Sequence, residues 1–157
     1  MNTKIVVDSS ASLYTLQGVD FECVPLKIIT DDAEYLDNGT MDALGMAQTL
    51  RTYKGKTSTS CPNVSDWLAA YEGADEVYAI TITGTLSGSY NAAMAAREMV
   101  LEEHPEKKIF VLDTLSCSGA LAGAAELANK LIGEDQTFDD ICFALKKFAD
   151  STHILFA

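Results

Sequence analysis

The feature of this 157-residue sequence that most restricts its fold is a set of three short apolar segments separated by helical patterns. Residues 5–7, 77–82 and 109–112 are apolar almost throughout and do not alternate with polar residues. Continuous apolar segments of this kind are typical of parallel strands that are buried on both faces. The segments therefore predict an α/β fold, with a mainly parallel sheet flanked by helices on both faces.

Helical patterns lie between and after these segments. Apolar side chains recur every three or four residues, and so fall on one helix face, in residues 43–53, 121–132 and 138–148. Thr137 is placed to cap the last of these helices, with Asp140 at its third position. We expect Gly133 to end the preceding helix and Gly73 to end a shorter one around Trp67.

Two weaker apolar patterns complete the prediction. Residues 21–24 and 26–29, interrupted by Pro25, predict one further strand, and residues 153–156 predict a last one. The length fits a single domain over residues 1–157. Because the sequence stops inside the apolar run 154–157, we expect the chain to be truncated.

Composition argues against several classes of protein. The net charge of −12 opposes binding to nucleic acid or to anionic lipid surfaces. The sequence contains neither a signal-peptide pattern nor an apolar stretch of membrane-spanning length, so we expect a cytoplasmic protein without stable membrane insertion. The acidic residues between positions 31 and 42 are interpreted as a solvated edge, with a metal site as the alternative.

Small hydroxyl residues and glycines follow the predicted strands. They form four clusters, at residues 8–12, 57–60, 83–90 and 113–116. Ligands of α/β sheets bind beyond the carboxyl ends of the strands, and a helix N-terminus with nearby hydroxyls attracts an anion such as a carboxylate or phosphate. Residues 84–90 are the best candidate, because Gly84 and Gly88 permit close approach of the backbone. The alternative is that these hydroxyls only cap helices.

Catalysis has less support. The sequence lacks the G-x-S-x-G elbow of hydrolases, the phosphate-binding G-x-x-x-x-G-K pattern and the dinucleotide-binding G-x-G-x-x-G pattern. Asp8 could serve a phosphotransferase or hydrolase, as could Asp113, but the metal-sharing acid expected two residues after Asp8 is Ser10. We interpret both aspartates as helix caps or turn formers. A non-catalytic oligomerisation module without a small ligand is a further alternative.

Six segments carry a resemblance to a known family. They are residues 4–11 (KIVVDSSA), 24–26 (VPL), 35–37 (YLD), 56–58 (KTS), 86–93 (LSGSYNAA) and 110–114 (FVLDT). In this order they span almost the whole chain, and the sequence resembles the N-terminal domain of the DegV family of fatty-acid-binding proteins. The resemblance implies a two-domain fold that holds a long-chain fatty acid, with the carboxylate bound by hydroxyls.

The same resemblance implies a function and a set of site residues. Proteins of this family in bacteria present the fatty acid to a fatty acid kinase; they are carriers rather than enzymes, and need no cofactor or metal. The fatty-acid-binding positions fall on Thr57, Ser58, Ser87 and Gly88. Supporting positions are Asp8, Ser9, Ser10, Thr59, Leu86, Ser89, Asp113 and Thr114. Many relatives have Gln-Pro where this chain has Thr59-Ser60, which is a departure from the family pattern.

Two geometric expectations follow from this assignment. Thr57 and Ser87 should lie side by side at the carboxyl edge of the sheet, with Ser87 in the first turn of its helix. Apolar side chains around the hydroxyl loops should be exposed if a second domain normally covers them. The candidates are Leu86, Tyr90, Leu115, Leu155 and Phe156.

Overall fold

The computed structural model describes residues 1–153 of the chain. Within them, the strands are β1 (Thr3–Asp8), β2 (Asp20–Val24), β3 (Lys27–Thr30), β4 (Glu34–Leu36), β5 (Thr57–Ser60), β6 (Glu76–Thr81) and β7 (Lys108–Asp113). The helices are α1 (Ala43–Thr52), α2 (Val64–Tyr71), α3 (Ser89–Glu103), α4 (Gly119–Gly133) and α5 (Phe138–Ser151). A short 3-10 helix follows β1 at Ser9–Ala11.

The three predicted apolar segments form the centre of a parallel sheet. Its strand order is β2-β1-β6-β7, and all three neighbouring pairs are parallel. Every side chain of β6 is buried, since this strand lies between β1 and β7 and both of its faces are covered. The fold class predicted from the sequence is therefore confirmed.

The two faces of the parallel sheet pack against different helix pairs. Ile5, Tyr78 and Ile80 face α4 and α5, while their neighbours Val6 and Val77 face α2 and α3. This alternation follows from the strand geometry, in which successive side chains point to opposite faces. Two cores, one on each side of the sheet, stabilise the domain.

The predicted helix ends agree with the structure. Thr137 caps α5 by accepting a hydrogen bond of 3.2 Å from the Asp140 backbone N–H. The Asp140 carboxylate in turn accepts one of 2.6 Å from the Thr137 hydroxyl. Gly133 is the last residue of α4, and Gly73 follows α2 with a φ of +75°.

The prediction that residues 21–24 and 26–29 form a single strand was wrong, because the chain forms two strands, one on each side of Pro25. β2 belongs to the parallel sheet, whereas β3 belongs to a separate antiparallel sheet of order β4-β3-β5, here called the small sheet. Proline has no backbone N–H for a sheet ladder, and at this position the chain changes from one sheet to the other. β4 and β5 were not predicted, because neither carries a continuous apolar run.

The small sheet and α1 lie largely outside the core. None of the described residues 25–60 is buried, and α1 keeps Leu44 70% exposed although its apolar spacing was predicted correctly. The last predicted strand, at residues 153–156, lies outside the described residues except for His153, which follows α5 without forming a strand.

Candidate functional site

Three of the four hydroxyl clusters meet at the carboxyl edge of the parallel sheet. They follow β1, β6 and β7, which are neighbours in the sheet and run in the same direction. The loops after β6 and β7 are joined directly, because the Thr83 N–H donates to the Ser116 carbonyl at 2.9 Å. The Thr114 hydroxyl donates to the Thr81 carbonyl at 2.8 Å, which ties the two strand ends together.

Asp8, the last residue of β1, is fully buried at this edge and caps the 3-10 helix that follows. One carboxylate oxygen, Oδ1, accepts hydrogen bonds from the backbone N–H and the hydroxyl of Ser10. The other, Oδ2, accepts from the Ile82 N–H at 2.9 Å and from the Ser89 hydroxyl at 2.8 Å. Burial raises the pKa of Asp8 above its usual 3.8, and these hydrogen bonds offset part of that rise.

Asp113, the last residue of β7, binds the loop between β6 and α3 (residues 82–88) from the side opposite to Asp8. Its carboxylate accepts the Gly84 N–H at 3.2 Å and the Leu115 N–H at 3.0 Å. A Cβ atom at position 84 would come within 3.1 Å of this carboxylate, so glycine allows the close approach. The interpretation of Asp8 and Asp113 as a cap and a turn former is confirmed.

Ser87 and Gly88 lie immediately before α3. Gly88 is the N-cap residue and the helix begins at Ser89, so the expectation that Ser87 lies within the first turn was wrong by two positions. The Ser87 hydroxyl oxygen accepts a hydrogen bond of 3.2 Å from the Ser89 N–H. A hydroxyl oxygen that accepts in this way still has its proton to donate, so Ser87 can also bind an anion.

The helices that start at this edge differ from the others in how their N-termini are capped. Asp42, Asn63 and Thr137 cap α1, α2 and α5 through side-chain hydrogen bonds. Within residues 1–153, the N-cap residues of α3 and α4, the helices that follow β6 and β7, make no side-chain hydrogen bond to their helix, and the first N–H of α3 donates to the Ser87 hydroxyl instead. In α4 the N–H groups of Ala120 and Leu121 donate to the backbone carbonyls of Cys117 and Ser118, so the N-terminus of α3 is the better place for a bound anion.

The fourth hydroxyl cluster is a strand rather than a loop. Thr57, Ser58 and Thr59 form β5 of the small sheet with their side chains exposed, and Ser60 ends that strand. The structure brings the end of β5 to the start of α3, since a Cβ atom on Gly88 would lie 3.2 Å from the Sγ of Cys61. Thr57 is the first residue of β5, three residues before Ser60, and therefore lies about 10 Å from that end at ordinary strand rise.

Several supporting residues hold the edge together. The hydroxyls of Ser10 and Ser89 donate to Asp8, and the Ser9 hydroxyl accepts the Leu26 N–H at 2.9 Å. The Ser9 contact fixes the point where the chain leaves the parallel sheet for the small sheet. Ser9, Ser89 and Thr114 are buried, so their part in the site is to set the loop positions.

The expected exposure of apolar residues around the hydroxyl loops is found for two of the candidates. Leu86 is 67% exposed and Leu115 54% exposed, whereas Tyr90 is half-buried. Leu155 and Phe156 lie outside the described residues. Leu86 and Leu115 line an open cleft of about 450 Å³, together with hydroxyl residues and the end of α5.

Sequence reasoning missed two contributors to this edge. Cys61 contacts Gly88, and His153 lines the cleft after α5 rather than starting a strand. No local pattern marks Cys61, because its contact with residue 88 is set by the packing of the small sheet. Among the residues that the structure describes, no cluster of His, Cys, Asp or Glu could hold a metal ion. No helix of this described part is long and apolar enough to cross a bilayer.

Comparison with known proteins finds relatives that contain a DegV domain. A DegV domain-containing protein of Streptococcus pneumoniae is 35% identical over 160 residues, covering 99% of this chain and 57% of that protein. The chain thus spans little more than half the length of such relatives. Its fold matches a DegV family protein of Eubacterium eligens loaded with heptadecanoic acid, with a TM-score of 0.91, 37% identity and coverage of 94% of this chain and 54% of the other.

A second solved structure is equally similar. It is the Fatty Acid Kinase (Fak) B3 protein of Streptococcus pneumoniae loaded with linoleic acid, with a TM-score of 0.92 and 34% identity over 96% of this chain and 55% of that protein. The family model described as "Uncharacterised protein, DegV family" matches residues 2–157. Since that match covers nearly the entire sequence, the chain belongs to the DegV family.

Proposed function

We propose that this chain is a fatty-acid-binding domain that binds the carboxylate of a long-chain fatty acid at the carboxyl edge of the parallel sheet. Thr57, Ser58, Ser87 and Gly88 are the proposed binding residues. The similar proteins of Eubacterium eligens and Streptococcus pneumoniae, loaded with heptadecanoic and linoleic acid, support this choice of ligand.

The observation that carries the proposal is the N-terminus of α3, where the N-cap residue Gly88 has no side chain and the Ser87 hydroxyl lies beside the first N–H group. Both α3 and α4 start at the same edge, beside hydroxyl loops, while the other three helices are capped by their own side chains. A carboxylate bound at the start of α3 would accept hydrogen bonds from first-turn N–H groups and from Ser87. The helix dipole stabilises negative charge at the same place.

The rest of the ligand needs apolar contacts. Each buried methylene of an acyl chain contributes about 0.8 kcal/mol, so the tail supplies most of the affinity and the polar head sets the orientation. The exposed side chains of Leu86 and Leu115, at the cleft beside the hydroxyl loops, are apolar surface of the required kind. A carrier of this type needs neither cofactor nor metal and does not itself catalyse a reaction.

Extraction and titration test the proposal. The purified chain is extracted with organic solvent and the extract examined by mass spectrometry for C14 to C18 acids. The stripped protein is then titrated with one such acid. We expect saturable binding that the corresponding fatty alcohol does not reproduce, because the alcohol lacks the carboxylate. Equal affinity for acid and alcohol would contradict a carboxylate site.

Ser87→Ala tests the head-group contact. Loss of one hydrogen bond to the head group should weaken fatty acid binding by about 0.5 to 1.5 kcal/mol if the acid is bound in its neutral form, and by more if it is bound as the carboxylate. Ser65→Ala is the matched control, since Ser65 is an exposed serine in the first turn of α2 whose hydroxyl donates to Asn63. An unchanged affinity of Ser87→Ala would exclude this serine from the site.

The proposed role of the chain with its bound fatty acid is to present that acid to a fatty acid kinase. The support is the similarity to the Fatty Acid Kinase (Fak) B3 protein of Streptococcus pneumoniae. Incubation of the loaded chain with such a kinase and ATP should give an acyl phosphate, whereas free fatty acid at the same concentration should react more slowly. Equal rates with and without the chain would contradict this role.

The enzyme alternative has less support from the geometry. Both oxygens of Asp8 already accept two hydrogen bonds each, and Asp113 binds two backbone N–H groups. A nucleophile or general base must be free to contact a substrate. Asp8 is fully buried, so it cannot act in this way without rearrangement of the loops it holds.

A further inference from the structure

Asp8 makes contacts that its role as a cap does not require. Capping of the 3-10 helix uses only Oδ1, which accepts from Ser10. Oδ2 accepts from residues more than 70 positions away in sequence, Ile82 at 2.9 Å and Ser89 at 2.8 Å. Ile82 is the residue directly after β6, and Ser89 is the first residue of α3. One oxygen atom therefore joins both ends of the loop 82–89.

That loop carries the proposed head-group contacts. Ser87 and Gly88 lie between the two residues that donate to Oδ2, and α3 begins directly after them. With Ile82 and Ser89 both held on one atom, the distance between the end of β6 and the start of α3 is fixed. On the other side of the loop, Asp113 holds the Gly84 N–H. The loop is fastened at its two ends by Asp8 and in its first half by Asp113.

We propose that Asp8 is a positioning residue, which orients the Ser87 hydroxyl and the first-turn N–H groups of α3 toward the ligand by joining both ends of this loop. This inference rests on the proposed function, since the loop is named as the head-group site there. Asp8 itself does not contact the ligand, because it is fully buried and both of its oxygens are already engaged.

The four donors around Asp8 fit a carboxyl group better than an amide. Asparagine has one acceptor oxygen and one donor NH₂ group, whereas each oxygen of Asp8 accepts two donors. In either orientation the amide would place a donor against a backbone N–H, that of Ser10 or that of Ile82. Burial raises the pKa of Asp8, so a buried carboxylate is unfavourable here in itself, and its hydrogen bonds are what make it tolerable.

Two variants test the proposal independently. Asp8→Asn removes the double acceptor, and Ser89→Ala removes the donor that connects α3 to it. Thr81→Val is the matched control for Ser89→Ala. It also deletes a fully buried hydroxyl at the same edge, one that donates to the Leu112 carbonyl at 3.1 Å and not to the loop. If Asp8→Asn fails to fold, Ser89→Ala against Thr81→Val still decides.

Hydrogen–deuterium exchange of the ligand-free chain gives the first readout. Asp8→Asn and Ser89→Ala should raise the exchange rate of amides in residues 82–91 by about tenfold, the change that corresponds to loss of one good hydrogen bond. Thr81→Val should leave this segment near the wild-type rate. Equal exchange in residues 82–91 for Ser89→Ala and Thr81→Val would overturn the proposal, whether or not the chain binds fatty acid.

Titration with a C14 to C18 acid gives the second readout. Both variants should raise the Kd by about 3- to 10-fold relative to Thr81→Val, and the double variant should bind no more weakly than Asp8→Asn alone, because the two residues act through one contact. A loosened loop with unchanged Kd would overturn the positioning role. Failure of the wild-type chain to bind any fatty acid would instead contradict the proposed function, and the exchange result would still decide whether Asp8 holds the loop.

Discussion

The strands of the parallel sheet are five or six residues long and those of the small sheet three or four, and the two sheets are stabilised differently. β6 of the parallel sheet has every side chain buried between two layers of helices. The strands of the small sheet, together with α1, contribute no buried side chain over the described residues 25–60. Hydrophobic burial therefore stabilises the first region, while backbone pairing and local polar contacts hold the second.

Under the proposed function, this difference would assign stability to one region and recognition to the other. The parallel sheet fixes the positions of the loops after β1, β6 and β7, since each of those strands packs in the core between the two helix layers. The end of β5 lies near the start of α3, since a Cβ atom on Gly88 would be 3.2 Å from the Sγ of Cys61, and the hydroxyl residues Thr57, Ser58 and Thr59 of this strand are exposed. Binding residues commonly lie on exposed segments that a rigid scaffold positions, and under the proposed function the two regions would divide those tasks.

Trp67→Ala should give the largest effect, because Trp67 is fully buried between α2 and the parallel sheet. Removal of a buried tryptophan side chain costs about 3–5 kcal/mol of unfolding free energy. Leu44→Ala on the exposed α1 should change it by less than about 0.5 kcal/mol. Urea denaturation measures both values. A loss at Leu44 as large as that at Trp67 would show that the small-sheet region has a core of its own.

Gly39→Ala should give the next largest effect, a loss of about 2 kcal/mol of unfolding free energy. It should also increase local opening of the small-sheet region. Gly39 has a φ of +78°, which is unfavourable for alanine, and a Cβ atom there would lie 2.6 Å from the ring of Tyr14. Gly73→Ala has a similar φ of +75° but no atom within 4 Å, so it should cost only about 1 kcal/mol. Amide exchange over residues 27–60 distinguishes them. Equal losses of unfolding free energy for the two variants would mean that the contact with Tyr14 does not contribute.

Two helix-cap variants, one in each region, should give smaller losses of unfolding free energy. Asn63 and Asp66 form a capping box at the start of α2, which packs on the core, so Asn63→Ala should lower the unfolding free energy by about 1 kcal/mol. Asp42 caps α1, which buries no residue. Asp42→Ala should therefore unfold that helix locally and lower the unfolding free energy of the whole domain by less than about 0.5 kcal/mol. Urea denaturation and amide exchange at α1 check both. A global loss for Asp42→Ala equal to that for Asn63→Ala would contradict the difference.

The smallest expected effect is a change in pH dependence at the edge of the parallel sheet. The folded state raises the pKa of Asp8 above its usual 3.8, so folding favours the protonated carboxyl. The stabilisation is complete below pH 3.8 and is lost as the pH rises through the raised pKa. The unfolding free energy of the wild type should therefore fall relative to Asp8→Asn over that interval, as measured by urea denaturation. A relative rise with pH would mean that the hydrogen bonds outweigh burial.

Local sequence patterns predicted the parallel sheet and its helices well, but not the small sheet. Continuous apolar runs mark β1, β6 and β7, because strands buried on two faces admit few polar residues. β5 reads Thr-Ser-Thr-Ser, and nothing in that stretch distinguishes a strand from a hydroxyl-rich loop. Its strand conformation depends on antiparallel pairing with β3, which begins 30 residues earlier in the chain. Propensity and periodicity do not contain such distant pairings.

The candidate site was predictable to a similar extent. The sequence by itself determined that hydroxyl loops follow β1, β6 and β7 and share one edge, because parallel strands align their carboxyl ends. Only the tertiary structure decided which hydroxyls are free. It placed Ser89 against Asp8 and left Ser87 just before α3, although both serines flank the same glycine. The reason is physical: a hydrogen bond between residues 8 and 89 depends on the packing of β1 beside β6, which no local pattern encodes.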